Sequence, residues 1–233
     1  MDERGAERPG DPTRVPVWLR AEPSRVRRRT PLTLDRIVDA AVTLLDRRGV
    51  EGLTMRGLAQ HLDVTATALY WHVRTKDDVL DLAFDRIFGE VPIPRVSDDG
   101  PADVRVLARA WRAAMLAHSW APGLVGRPML GPNVLARTEF LQAALARAGC
   151  HGRQLAVVTR VLANYVIGAS LTEATWRRSA DPEARAAARD HVAGHPDAYP
   201  TLIASGHLDD TRWSDDMLFE EGLDGILRAV AHG

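Results

Sequence analysis

The stretch LTMRGLAQHLDVTATALYWHVRTKDDVLD, Leu53 to Asp81, decides how this chain is read. It holds two short helical patterns separated by a break at Asp63-Val64, then Tyr70, Trp71 and His72 in succession. Thr54 precedes the first pattern and Thr65 the second. A threonine oxygen at an N-cap accepts a free N–H of the first turn, so both positions read as helix starts. In the first pattern Leu58 and Leu62 are spaced to face inward, leaving Arg56 and Gln60 to face out. The second runs to about Trp71 and is anchored by Leu69. TKDD at 75–78 reads as a capping signal, with Asp in place of the usual Glu or Gln, for a helix beginning near Lys76. Its apolar stripe is Val79, Leu80, Ala83, Phe84, Ile87 and Phe88.

Two short helices bury little surface alone, so a third must brace them. Just upstream, Leu34, Ile37, Val38, Ala41, Leu44 and Leu45 recur at helical spacing between a capping Thr33 and Gly49. The spacing predicts a helix over 33–48 and a three-helix helix-turn-helix unit. In such a unit the second short helix enters the major groove of DNA, where side chains reach phosphates or base edges. Thr65, Thr67, Ala68, Tyr70 and Trp71 are then the groove candidates. From periodicity alone, Tyr70 and Trp71 fit a helix core equally well.

Composition agrees with that placement. The 233 residues are 45% hydrophobic, enough for a core, and the net charge is only −1. The charge is uneven, with 14 basic against 10 acidic residues over 1–76 and 16 against 21 beyond. The amino-terminal third is therefore the basic third. Residues 1–30 lack apolar periodicity and read as a disordered, Arg-rich arm. Its Arg25, Arg27, Arg28 and Arg29 either follow a duplex or form a solvated tail. A single cysteine, Cys150, cannot form an internal disulfide and fits a reducing compartment. No stretch reads as a membrane span or signal peptide, so a cytoplasmic protein is expected.

After a linker at 92–101 the pattern stays helical over about 102–119, 134–148, 152–177 and 213–231. The fold class expected is all-α. Gly194, Pro196 and Pro200 break the segment 178–200, which reads as a helix fragment followed by a mobile loop. His191 and His195 have the i, i+4 spacing of a metal pair, but those breakers oppose the helix that would align them. Cys150-His151 lacks nucleophile–base geometry, and there is no P-loop, Gly-x-Ser-x-Gly or dinucleotide fingerprint. No metal site, cofactor or catalytic site is expected.

The run from Gly52 to Asp81, with its LYWHV and the lysine that follows, resembles the DNA-binding region of the tetracycline-repressor family. IVDAAVTLLDRRGVEGLT resembles the same family's opening, so the likeness covers about 34–85. More loosely, VGRPML at 125–130 is similar to a Gly-Thr-Arg-Pro turn of the family, and MLFEEGLDGIL at 217–227 to its closing helix. The resemblance implies a helix-turn-helix domain over 31–76, a connecting fourth helix at about 76–90, and an effector-binding and dimerisation domain over 91–233. It implies that Arg56 contacts DNA, that Tyr70, Trp71 and His72 pack or hydrogen-bond along the phosphates, and that Lys76 contacts a phosphate. A lysine at a helix N-terminus adds its charge to free N–H groups, which suits that role. Thr54, Thr65, Ala66, Thr67 and Ala68 complete the expected DNA-facing set. Ala66, Thr67 and Ala68 stand where the family's namesake has Gln, Pro and Thr, so a different operator is expected, with Thr67 and Ala68 placed to touch thymine methyls.

In the namesake, histidines hold the drug and its magnesium. The matching positions here are Pro92 and one near Gly123 or Leu124, which disfavours tetracycline with magnesium as the effector. Trp111, Met115, His118, Phe140, Asn164, Tyr165, Thr172 and Trp176 are the effector-binding candidates, large apolar walls with a few polar points. Taken one by one, each also suits ordinary core, and His118 suits a paired helix-end histidine. The expected protein is a homodimer that binds a palindromic double-stranded operator, represses transcription, and releases DNA on binding a small apolar or aromatic molecule. Activation within the same framework, and a helical enzyme or carrier using the carboxyl domain, are the alternatives.

Overall fold

The computed structural model describes residues 31–124, 130–178, 181–209 and 211–231, so the arm at 1–30 and most of 125–130 lie outside the described residues. Every regular element among the described residues is a helix, as the periodicity requires. Among the described residues the chain divides into two compact units: residues 31–87 with 130–133, and residues 88–124 with 134–231.

The first unit contains α1 (Leu34–Gly52), α2 (Met55–His61), α3 (Ala66–Tyr70) and most of α4 (Lys76–Gly89). Thr33 Oγ1 accepts the Arg36 N–H at 3.3 Å and so starts α1. Gly49, at φ 66°, sits in backbone space that glycine enters without strain; it interrupts α1 one turn before its end. Ile37, Leu45, Leu53, Leu58, Leu69 and Val73 are buried and form a core drawn from α1 to α3. Each such side chain contributes roughly 1.5–3 kcal/mol on burial. Leu62, expected inside, is only half-buried because it caps the end of α2. The capping signal before α4 forms with a shift: Thr75 Oγ1 accepts the Asp78 N–H at 3.1 Å, while the Asp78 carboxylate accepts the N–H of Arg74 at 2.9 Å.

The second unit is built on α5 (Gly100–Ala117), α6 (Pro132–Arg147, from Val134 on), α7 (Gly152–Arg178), α8 (Pro182–Ala193), α9 (Pro200–Ser205) and α10 (Asp215–Ala231). Leu107, Phe140, Leu145, Leu162, Phe219 and Leu223 are among the side chains that meet in its core. Along the rim, α5 and α10 run antiparallel and are joined by paired charges: Arg105 with Asp224, Arg109 with Glu220 and Arg112 with Asp216, each at 2.7 Å. Arg112 also reaches the buried Glu173 of α7 at 2.6 Å, so one guanidinium ties three helices.

Two expectations need correction. The expected helix fragment spans 182–193, started by Asp181 Oδ1 accepting the N–H groups of Glu183 and Ala184 and ended at Gly194, but a further helix that the sequence reading does not expect, α9, starts at Pro200. Pro200 opens α9 rather than breaking a helix, because the first turn of a helix leaves its N–H groups free in any case. The second correction concerns α7, which is long and apolar enough to cross a membrane by length and composition. Composition cannot distinguish a lipid-facing helix from one whose apolar face awaits another protein surface.

Candidate nucleic-acid interface and effector region

The reading helix α3 is held at both ends. Thr65 Oγ1 accepts the Ala68 N–H at 3.2 Å, and Thr54 Oγ1 does the same for Gly57 at the start of α2, at 3.0 Å. Between them Asp63 adopts φ 54°, and the Val64 N–H returns to the Ala59 carbonyl at 3.0 Å. Asp tolerates this left-handed geometry better than most residues, which is why the break falls there. Leu69 is fully buried and fixes the rotation of α3. That rotation resolves the ambiguity over the aromatics: Tyr70 is 49% and Trp71 72% exposed, so neither is core. Arg56, Thr54, Thr65, Ala66 and Thr67 are exposed as well, and Ala68 and His72 are half-buried.

Lys76 is less free than its sequence position implies. Its Nζ donates to the Val50 carbonyl at 2.7 Å, stitching the start of α4 to the last turn of α1. An ammonium carries three protons, so this bond leaves donors available for a phosphate. No sequence pattern marked this contact, which joins residues 26 positions apart.

In the second unit the effector candidates fall into distinct groups. Phe140 belongs to the core cluster, and Trp111 and Tyr165 pack against it. Tyr165 stacks on Phe219 at 5.5 Å, and its hydroxyl donates to the Phe219 carbonyl at 2.8 Å, with the Leu218 carbonyl at 3.1 Å. Burial raises the Tyr165 pKa, so the phenol stays a neutral donor. Met115 is fully buried on α5, and His118 at the helix end pairs through Nε2 with Glu90 at 3.1 Å. Asn164, Thr172 and Trp176 are not brought to this group: they lie exposed on α7, Trp176 beneath the Arg185 guanidinium at 4.1 Å. Helical spacing placed them on α7 but did not say which of its faces looks inward.

Trp111 differs from the rest. Its ring meets Phe88 edge-on at 5.4 Å, and its Nε1 is buried with no hydrogen-bond partner, the one such side-chain atom found among the described residues. Pro92 and Gly123 are exposed and Leu124 is buried; none offers a metal-binding side chain. His191, in the last turn of α8, and His195, just past its end, have ring centroids 4.5 Å apart, and His195 Nδ1 is 2.7 Å from the His191 carbonyl. Among the described residues no three His, Cys, Asp or Glu side chains are gathered as a metal site. Cys150 is buried and burial pushes its thiol pKa up, away from the reactive thiolate.

Residues 37–83 match the family described as bacterial regulatory proteins, tetR family, and residues 94–232 match the tetracyclin repressor-like C-terminal domain. The chain is 42% identical over 219 residues to an HTH-type transcriptional regulator of Saccharopolyspora erythraea, covering 92% of this chain and 91% of that one. Among solved structures it is similar to apo ActR from Streptomyces coelicolor, with TM-score 0.76 and 30% identity, covering 88% of this chain and 98% of ActR. ActR in complex with actinorhodin aligns with TM-score 0.75 and 30% identity over 87% and 96% of the two chains. With an exposed, capped reading helix in front and the matching helical domain behind, the chain belongs to the tetracycline-repressor family of bacterial transcriptional regulators.

Proposed function

We propose that this chain is a homodimeric transcriptional repressor that reads a two-fold operator through α3 and is released by a small aromatic effector bound in the second unit. The observation that carries the DNA-reading half is the exposure of Tyr70 and Trp71 on a helix whose opposite side is anchored by the buried Leu69. Two adjacent large aromatics left in water form an exposed apolar patch of the kind that marks an interaction surface. Thr65, Ala66, Thr67 and Ala68 share α3 or its cap with them, His72 follows it, Thr54 and Arg56 belong to the start of α2 and Lys76 to that of α4, and these complete the proposed DNA-facing set. One reader spans only a half-site, so two copies are needed. Val157, Val161 and Leu171 on α7 and Met217 and Leu218 on α10 are exposed apolar side chains that a second copy would cover, which accounts for the membrane-like composition of α7 without a membrane.

The effector half is supported by the likeness to ActR, a protein crystallised with actinorhodin, over nearly all of its length. Trp111, Met115, His118, Phe140 and Tyr165 are the side chains assigned to it, with Asn164, Thr172 and Trp176 left for the outer face of α7. Release requires the effector to prefer the conformation in which the two reading helices are misspaced; equal affinity for both would shift nothing. The lever is α4, one helix with Lys76 at its start and Phe88, the edge-on neighbour of Trp111, near its end. The protein then works on DNA in the cytoplasm and catalyses no reaction. Fragments of genomic DNA selected by the purified protein, titrated with candidate aromatics, test the proposal. Enrichment of a two-fold site and its release by a bound aromatic are expected. No enriched site removes the DNA half; binders that leave operator affinity unchanged remove the effector half.

A further inference from the structure

The buried polar side chains of the second unit are satisfied one after another. Ser170 donates to the Val166 carbonyl, Glu173 accepts from Arg112, Asp103 accepts from Ser97, and Tyr165 donates to Phe219. Trp111 Nε1 stands outside that pattern, being buried with nothing to receive its hydrogen. An unsatisfied buried donor costs about 1–3 kcal/mol, and a phenylalanine at this position would keep most of the packing without that cost. A chain that carries the cost at one place holds a donor ready for a group that is not part of the chain. The Trp111 ring packs against the Phe88 ring and the apolar cluster that contains Phe140 and Leu107, surroundings that suit a flat, apolar body. The adjacent cation, Arg112, is already committed to Glu173 and Asp216, which leaves no free positive charge there to neutralise a carboxylate.

We infer that Trp111 is the residue that selects the effector's chemistry: its indole N–H donates to a neutral carbonyl-type oxygen on an aromatic body, as in a ketone, quinone or lactone. This rests on the reading that an aromatic effector binds the second unit. It adds a requirement that reading does not make, an acceptor oxygen placed against α5. A purely hydrocarbon ring system of the same shape would bind with the donor still unsatisfied.

Matched probes separate the two claims. Indanone and indane, fluorenone and fluorene, and anthrone and 9,10-dihydroanthracene differ within each pair by one methylene replaced by a carbonyl. The full-length dimer would be titrated with each by calorimetry, alongside Trp111→Phe. Within the pair that fits, the ketone is expected to bind about five- to tenfold more tightly than the hydrocarbon, a ratio falling to near one in the variant. The chain has six tryptophans, and the indole N–H signal absent from Trp111→Phe should move with the ketone and not with the hydrocarbon. Should the variant fail to fold, that signal can be assigned in the wild-type protein and followed there. Equal affinity within every pair that binds, or an indole signal that both members shift alike, overturns the assignment of Trp111 while leaving the aromatic effector standing. No binding by any member removes the aromatic effector itself, and the role of Trp111 with it.

Discussion

Replacing Lys76 by methionine separates two jobs that the sequence merges. The change keeps the aliphatic stem and removes the ammonium that donates to the Val50 carbonyl at 2.7 Å. That carbonyl keeps a second partner, the Leu53 N–H at 3.3 Å, so no buried acceptor is orphaned. A charge-assisted hydrogen bond is worth about 1.5–3 kcal/mol, and with a half-buried donor and a surviving partner the loss should be about 1 kcal/mol. For a small domain this lowers Tm by about 4–8 °C. The DNA consequence has a different signature. Each phosphate neutralised contributes about 0.9 to the slope of log K against log salt, and a two-fold complex uses Lys76 twice, so the slope should fall by about 1.8. Between 50 and 200 mM salt the variant's deficit relative to wild type should therefore shrink about 12-fold. Fluorescence anisotropy on a selected genomic duplex and on a random duplex measures both lines, because the phosphate contribution is independent of sequence. Parallel slopes for a folded, dimeric variant would refute the phosphate contact and leave Lys76 as a tie between α1 and α4.

Thr65→Ala removes the cap of α3 and should reduce the stability of the first unit by about 1 kcal/mol, read by thermal unfolding, with weaker DNA binding at every salt. An unchanged Tm would mean that α3 does not depend on its cap. The hydrogen bonds from Ser97, assisted by Arg147, hold the Asp103 carboxyl below its ordinary pKa. The stability it contributes is thus fully present above the ordinary carboxylate range and is lost as pH falls through the lowered value. Asp103→Asn should accordingly lower Tm at pH 7 and lie closer to wild type in acid; a gap that widens in acid would contradict this. Val161→Glu, on the exposed face of α7, should yield monomers in sedimentation velocity and abolish operator binding. A persistent dimer would place the contact between copies on another face.

What the sequence determined by itself was local. Caps at Thr33, Thr54 and Thr65, the break at Asp63, the helical spacing of the apolar residues and the LYWHV run each depend on neighbours within a turn or two, and all point to the same helix-turn-helix unit. Pro200 misled because proline carries two meanings, breaker in a helix interior and starter in its first turn, and only the backbone shows which applies.

Tertiary structure decided whatever depends on which side of a helix meets a neighbour. The 3.6-residue period places Tyr70 and Trp71 on α3, yet their exposure follows from Leu69 turning inward against the other helices. The same holds on α7, where Tyr165 turns to the core while Asn164 and Thr172 turn out, one residue's rotation separating a packed ring from a free surface. The tie from Lys76 to Val50, the pairing of α5 with α10 and the idle Trp111 N–H join residues far apart in the chain or record a missing partner. Periodicity carries no information about such pairs, because hydrogen bonds and ion pairs are made by geometry in three dimensions, not by spacing along one.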